Sequence, residues 1–158
     1  MIEGFTDLSK GLTVNPGGIR GGTRTNVVPA YAAVEVDLRV AGLRDAPALE
    51  KKFRGLKPFG KRCTLTVTGE LNRPPIERKK AIGELNKKAR GLAAELGVVL
   101  EESSTGGGSD GNVSAALGVP RPDGFGTVGE GAYAVNESIL IDRMADLTAL
   151  LAKLVAAL

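Results

Sequence analysis

The sequence predicts a mixed α+β fold, with part of an antiparallel-sheet domain followed by part of an α/β domain. Residues 31–40 alternate between apolar and polar side chains, which is the pattern of a half-buried strand. Residues 78–96 instead repeat apolar side chains at helical spacing, which indicates an amphipathic helix. Between them, Pro74 and Pro75 interrupt regular structure, because neither can donate to a sheet ladder.

We therefore predict two incomplete domains, 1–74 and 75–158. The first begins with a strand at Leu12–Asn15 that runs into a glycine-rich loop. Asp45 is a candidate cap for a helix over 46–56. A further strand is predicted near residue 65, where threonines alternate with apolar side chains. The predicted core residues of this domain are Ala32, Val34, Val36, Leu38 and Val40 of one strand face, Leu49, Phe53 and Leu56 of the helix, and Cys63, Leu65 and Val67.

The second domain alternates helices and strands, which is an α/β pattern. Its first helix covers 78–96 and stops at Gly97, and Val98–Leu100 reads as a short buried strand. Asp110 is placed to cap a short helix that ends at Gly118, and Asp142 to cap the last helix. The predicted core residues are Ile82, Leu85, Ala89, Leu92 and Leu96 of the first helix, and Met144, Leu147, Leu151, Leu154 and Leu158 of the last.

Composition excludes several function classes. The net charge is only +3, aromatic residues make up 4%, and tryptophan is absent, so neither a basic surface nor base stacking indicates a nucleic-acid partner. No apolar run is long enough to cross a membrane, and residues 1–10 do not resemble a signal peptide. The single Cys63 rules out an internal disulfide, so we expect a cytoplasmic location.

A glycine-rich loop is the first candidate site. Gly106, Gly107 and Gly108 precede Ser109 and Asp110 at the predicted start of a short helix. Glycines let a backbone approach a ligand closely, and the amides at a helix start attract anions. The alternative is a tight turn in which Asp110 only caps the helix. The loop lacks the lysine of a phosphate-binding Walker loop.

The second candidate site lies around the alternating strand. Asn26 is able both to donate and to accept hydrogen bonds, and Arg39 has the planar fork that suits a carboxylate. Asp37 shares a strand face with Arg39. A surface salt bridge between these two side chains is therefore the alternative to a binding role.

Five motifs in order give this chain a resemblance to a known family. They are Asn-Val-Val-Pro-Ala at 26–30, Asp-Leu-Arg at 37–39, Arg-Pro-Pro at 73–75, Gly-Gly-Gly-Ser-Asp at 106–110, and Gly-x-Gly-x-Tyr at 129–133 with Glu137 after it. The chain resembles the zinc exopeptidases and deacylases, a family that includes glutamate carboxypeptidase, acetylornithine deacetylase and succinyl-diaminopimelate desuccinylase. The resemblance extends from about Leu12 to Leu158.

The resemblance implies a fold and a set of roles. The first domain would be the later part of a lid domain, whose strands pair between two subunits, so a homodimer is implied. The second would be the C-terminal part of the zinc-binding α/β domain. Asn26, Arg39 and Arg73 would hold the carboxylate and carbonyl of a small acidic amide substrate. The glycine loop, by its residues Gly107, Gly108, Ser109 and Asp110, would line the pocket.

The chain also departs from this family. Family members bind zinc through ligands that lie almost entirely upstream of the motifs found here, and the last ligand is a histidine where this chain has Tyr133. A phenol is a poor substitute for imidazole at zinc, and the chain contains no histidine. We therefore expect no zinc site and no other cofactor in this chain alone.

Three interpretations follow. In the first, the chain is part of a metallopeptidase that cleaves an amide beside a carboxylate, and another polypeptide supplies the N-terminal half. In the second, it is a non-catalytic dimerisation or ligand-binding remnant. In the third, it is a truncated fragment. For the chain by itself we expect no hydrolysis, and we expect an oligomer because an incomplete domain exposes apolar faces and strand edges.

Overall fold

The computed structural model describes residues 2–158, which form a mixed α+β fold, as predicted. The described residues form two compact units, 2–77 with Gly106–Ala116, and Arg78–Thr105 with Leu117–Leu158. These compact units do not test the predicted domain boundary, so the division into domains 1–74 and 75–158 stays a prediction. The strands are β1 Thr13–Gly21, β2 Ala32–Arg39, β3 Gly129–Glu130 and β4 Ser138–Ile139, and the helices are α1 Ala46–Arg54, α2 Lys80–Glu95, α3 Gly111–Ala116 and α4 Met144–Ala157.

An antiparallel hairpin of β1 and β2 forms the sheet of the first unit. The predicted strand over 31–40 is confirmed as β2, but β1 continues through the segment that we predicted to be a loop. The register shifts between Pro16 and Gly18, so one extra residue forms a bulge. A bulge is one of the few places where a sheet tolerates proline, which explains why Pro16 does not end the strand.

Helix α1 packs one face against the hairpin. Leu12, Val14, Leu49 and Phe53 form the buried cluster, and the rings of Phe5 and Phe53 meet edge to face with centroids 5.5 Å apart. The predicted apolar stripe of α1 is confirmed, with Leu56 partly buried against the same cluster. The prediction that Asp45 caps the helix is wrong. Asp45 ends a 3-10 turn in helical conformation, without a side-chain cap bond, whereas a cap needs extended backbone.

The far half of the hairpin is not covered by α1. Ile19 and Val34 are cross-strand partners, and Val34 shares its sheet face with Val36, which packs against the core. Nevertheless Ile19 is 78% exposed and Val34 is 48% exposed. The prediction that the whole apolar face of β2 is core is therefore wrong for its first half, which presents apolar side chains to solvent. It is also wrong for Leu38, which is 40% exposed, whereas Val36 and Val40 pack against the core.

The strand predicted near residue 65 is not formed. Residues 63–68 have no ladder partner in the described part of the chain, and Cys63 is exposed rather than in the core. Of the predicted apolar face, only Val67 packs against the first core cluster. A strand needs a hydrogen-bonding neighbour, and alternation alone does not supply one.

Helices α2 and α4 build the core of the second unit. Ala93, Val98 and Leu150 are its buried centre, with Leu92, Leu96, Leu100 and Phe125 packed around them. Gly97 has a φ of 70° directly after α2, which confirms it as the predicted stop, because glycine adopts this conformation without steric cost. Val98–Leu100 is not a strand. Instead, the Val98 amide donates back to the Ala93 carbonyl and closes the helix end.

Helix α4 differs from its prediction at both its start and its buried face. A 3-10 turn over Ile141–Arg143 leads into it, and Arg143 rather than Asp142 precedes the first helical residue. Leu150 and Leu154 are buried, whereas the predicted core residues Met144, Leu151 and Leu158 are exposed. No helix among residues 2–158 is long and apolar enough to span a membrane.

Candidate functional site

The glycine loop is held in place by a short network of hydrogen bonds at the start of α3. The Ser109 amide donates to Oδ1 of Asn112 at 2.8 Å, and the Gly111 amide donates to Oγ of Ser109 at 3.0 Å. Nδ2 of Asn112 donates to the Pro74 carbonyl at 2.8 Å. Because Asn112 is only 8% exposed, its amide group is a buried connection between the loop and the Arg-Pro-Pro segment.

Arg39 reaches the opposite end of the loop. Its Nη1 donates to the Gly106 carbonyl at 3.1 Å, and its Nε donates to Oδ2 of Asp37 at 2.7 Å. The salt bridge with Asp37 that we held as an alternative is therefore present. It does not exclude a ligand role, since the guanidinium contacts the loop as well and its side chain is half exposed.

Arg73 lies beside the middle of the loop. Its Nη2 is 3.6 Å from Oδ1 of Asp110, and an ideal Cβ at Gly108 would lie 3.6 Å from Cδ of Arg73. A Cβ at position 108 would thus be in van der Waals contact with the arginine stem. The Asp110 carboxylate is almost fully exposed, so its attraction to Arg73 is weak and is screened by salt.

The structure therefore brings two predicted site arginines together with the glycine loop. Asn26 lies in the exposed connection between β1 and β2, and among residues 2–158 no hydrogen bond or ion pair joins it to the loop. The assignment of Asn26, Arg39, Arg73 and Gly107–Asp110 to substrate binding stays a prediction. Asn112, which connects two of these elements, was not among the predicted site residues, although its place three residues after Ser109 is typical of side-chain bonds at a helix start.

Tyr133 lies in the connection between β3 and β4 of the second unit. Its side chain is fully exposed, and its backbone has a φ of 66°, which is uncommon for a residue other than glycine. Its amide donates to Oε2 of Glu137 at 3.3 Å. The position where the resemblance implies a histidine ligand is thus a solvent-exposed turn.

The described residues offer no grouped set of zinc donors. Zinc sites in proteins use closely grouped histidine, cysteine and carboxylate side chains. In the part of the chain that the structure describes, no three such side chains come together in a way that could hold a metal ion. These residues do not fit zinc.

The β1–β2–α1 segment matches a known family. Residues 2–56 match the model of the peptidase dimerisation domain, M20_dimer. This supports the M20 peptidase family in general, and the name of the domain supports homo-oligomerisation. The matched range covers the hairpin and α1, and it includes the buried residues of the first core cluster and Arg39. No curated protein shows a significant match to this chain.

Proposed function

We propose that this chain is a dimerisation and carboxylate-binding module of the M20 peptidase type, which does not hydrolyse amides by itself. The observation that carries the proposal is the dimerisation-domain match over residues 2–56. The single cysteine suits a cytoplasmic location, which we include in the proposal.

The dimer surface we propose is the uncovered half of the β1–β2 hairpin. Ile19 and Val34 face each other across the strands and are largely exposed. Exposed apolar side chains next to open strand edges favour pairing with another chain. A second copy of the hairpin would cover these residues in both subunits at once, since a twofold interface uses the same surface twice.

We expect Ile19→Lys to raise the dissociation constant of the dimer by about a hundred- to ten-thousandfold. Burying one such side chain contributes about 1.5–3 kcal/mol, and a twofold interface loses it in both subunits. The measurement is mass by light scattering over a concentration series. Val28→Lys is the matched control. Val28 is equally apolar and almost fully exposed, but it lies in the connection outside both strands. A monomeric wild-type chain at micromolar concentration would contradict the dimer, and an equal effect of both substitutions would contradict this interface.

The carboxylate site we propose uses Arg39 and Arg73 on either side of the glycine loop. Each arginine already contacts the loop or its neighbour, so its position is partly fixed before a ligand arrives. Arginine forks bind carboxylates through paired hydrogen bonds, and Asn26 would add a hydrogen bond to the carbonyl of a small acidic amide if the exposed connection closes over it. Gly107, Gly108, Ser109 and Asp110 would form the wall of the pocket.

Hydrolysis of an amide beside a carboxylate is the alternative function, and it requires a group of metal ligands that is not found among residues 2–158. We expect the chain, refolded with zinc and desalted, to retain no stoichiometric zinc and to leave N-acetylglutamate intact. We expect the same result for Tyr133→His, because one added imidazole still lacks the further donors of a zinc site. Elemental analysis measures the bound zinc, and an amine-release assay measures hydrolysis of N-acetylglutamate. Stoichiometric zinc in the wild-type chain, with hydrolysis, would contradict the proposal and favour the hydrolase.

A further inference from the structure

A small cavity opens on one side of α2 in the second unit. Its volume is about 240 Å³, which is below the range of drug-sized ligand pockets and suits a small ion or metabolite. The residues that line it are Arg78, Gly83, Asn86, Lys87, Arg90 and Glu102. None of these residues belongs to the carboxylate site proposed above.

The helix itself creates this cavity. Gly83, Asn86, Lys87 and Arg90 follow the helical spacing of three and four residues, so they share one face of α2. An ideal Cβ at Gly83 would lie 3.5 Å from Nη1 and Nη2 of Arg78, so the guanidinium lies over the position where a side chain would be. Glycine inside a helix costs about 0.5–1 kcal/mol relative to alanine. At position 83 the absence of a side chain leaves space between α2 and the Arg78 guanidinium.

The charges around the cavity are unbalanced. Nε and Nη2 of Arg78 donate to the two carboxylate oxygens of Glu102 at 2.5 and 3.2 Å. Hydrogen bonding from Arg78, with added effects of Asn86 and Arg90, holds the pKa of Glu102 below its ordinary value, so Glu102 is ionised at neutral pH. Among the residues that line the cavity, Arg78, Lys87 and Arg90 are therefore accompanied by a single carboxylate.

Lys87 and Arg90 are the cations that Glu102 does not bind directly. Of the salt bridges among residues 2–158, none uses Lys87 or Arg90, whereas both carboxylate oxygens of Glu102 are bonded by Arg78. Glu102 thus orients Arg78, and the excess positive charge remains one and two helical turns beyond Gly83. An anion that enters the cavity would meet all three cations.

We propose that this cavity binds a small phosphate-bearing anion. A phosphate group carries a charge of about −1.5 to −2 at neutral pH, which complements three cations and one carboxylate. Its tetrahedral oxygens accept hydrogen bonds from arginine and lysine donors that converge from different directions. The ligand is inorganic phosphate or a small phosphate monoester, and both place the same group in the cavity.

The test is a titration of the ¹⁵N-labelled full chain with inorganic phosphate, and separately with glycerol phosphate, at constant ionic strength set by sodium chloride. We expect saturable shifts of the Gly83, Lys87 and Arg90 amides, with a dissociation constant on the order of 1 mM. Tighter binding of inorganic phosphate would identify the free ion as the ligand. Tighter binding of glycerol phosphate would identify a monoester.

Lys87→Glu and Lys80→Glu form the matched pair of variants. Both make the same charge change on α2, but Lys80 does not line the cavity. We expect Lys87→Glu to weaken phosphate binding more than tenfold and Lys80→Glu to weaken it less than threefold, with both variants folded by circular dichroism. Equal weakening by the two variants would overturn the proposal, because it would show only general attraction. Shifts no larger than those caused by chloride, or binding restricted to a long polyanion, would overturn it as well.

Discussion

Leu150→Ala is expected to lower the free energy of unfolding of the second unit by about 2–5 kcal/mol, the range for a fully buried leucine in a packed core. Leu150 is 0% exposed and lies in one buried cluster with Ala93 and Val98. Ala93 is small and is held within α2, so it cannot expand to fill the space. The cavity would remain largely open, which places the expected loss in the upper part of that range.

Leu151→Ala is the matched control for this substitution. Leu151 is the next residue on α4 and is 45% exposed, so the same change should cost about 1 kcal/mol or less. Hydrogen exchange measured by mass spectrometry reports the opening free energy of each segment. We expect amides of α2 and α4 to lose protection in Leu150→Ala, while amides of β1 and β2 keep theirs. Similar losses from the two substitutions would contradict the burial of Leu150 and the exposure of Leu151 on which this prediction rests.

The elements that could be predicted from the sequence are those whose type and ends are set by residues within the element or next to it. Strand β2 has strict alternation, and its bounds differ from the prediction by only one residue at each end. Helix α1 combines apolar side chains at helical spacing with Pro47 in its first turn, a position that proline favours. The stop of α2 at Gly97 was also predictable, because left-handed backbone at a helix end favours glycine.

The elements that failed depend on partners that are distant in sequence. Residues 63–68 alternate as well as β2 does, but a strand forms only where another strand pairs with it. Helix α4 carries apolar side chains on most of its surface, so its sequence does not single out one stripe. Packing against α2 decides that Leu150 is buried and Leu151 is not, and this contact is not encoded within α4.

In the candidate site, too, some features could be predicted from nearby residues and others depend on partners that are distant in sequence. The motifs around Arg39 and Arg73 were recognisable in the sequence, and the structure places both arginines beside the glycine loop. The residue that connects the parts was missed, because Asn112 acts through the Pro74 carbonyl, which no side-chain motif reveals. Backbone acceptors of this kind become visible only when the two segments are seen together.

Asn112→Ala is expected to destabilise the first unit by about 2–4 kcal/mol, since an unpaired buried polar group costs about 1–3 kcal/mol. The substitution removes the acceptor of the Ser109 amide and the donor to the Pro74 carbonyl. Both partners lie in partly buried surroundings, so water replaces these bonds only in part. The glycine loop would then lose its connection to the segment that carries Arg73, and hydrogen exchange at residues 106–112 should rise above that of the wild-type chain.

Two further substitutions separate the bonding from general effects of changing asparagine. Asn26→Ala makes the same change at an exposed position of the same unit, and a surface change of this kind should stay within about 0.5 kcal/mol. Asn112→Asp keeps the acceptor for Ser109 but turns a carboxylate oxygen toward the Pro74 carbonyl, so it should destabilise the unit at neutral pH and recover part of the loss when acid protonates the new carboxyl group. If Asn112→Ala instead matches Asn26→Ala in a urea titration, the two hydrogen bonds do not hold the loop, and the proposed carboxylate site would lack the fixed wall on which it depends.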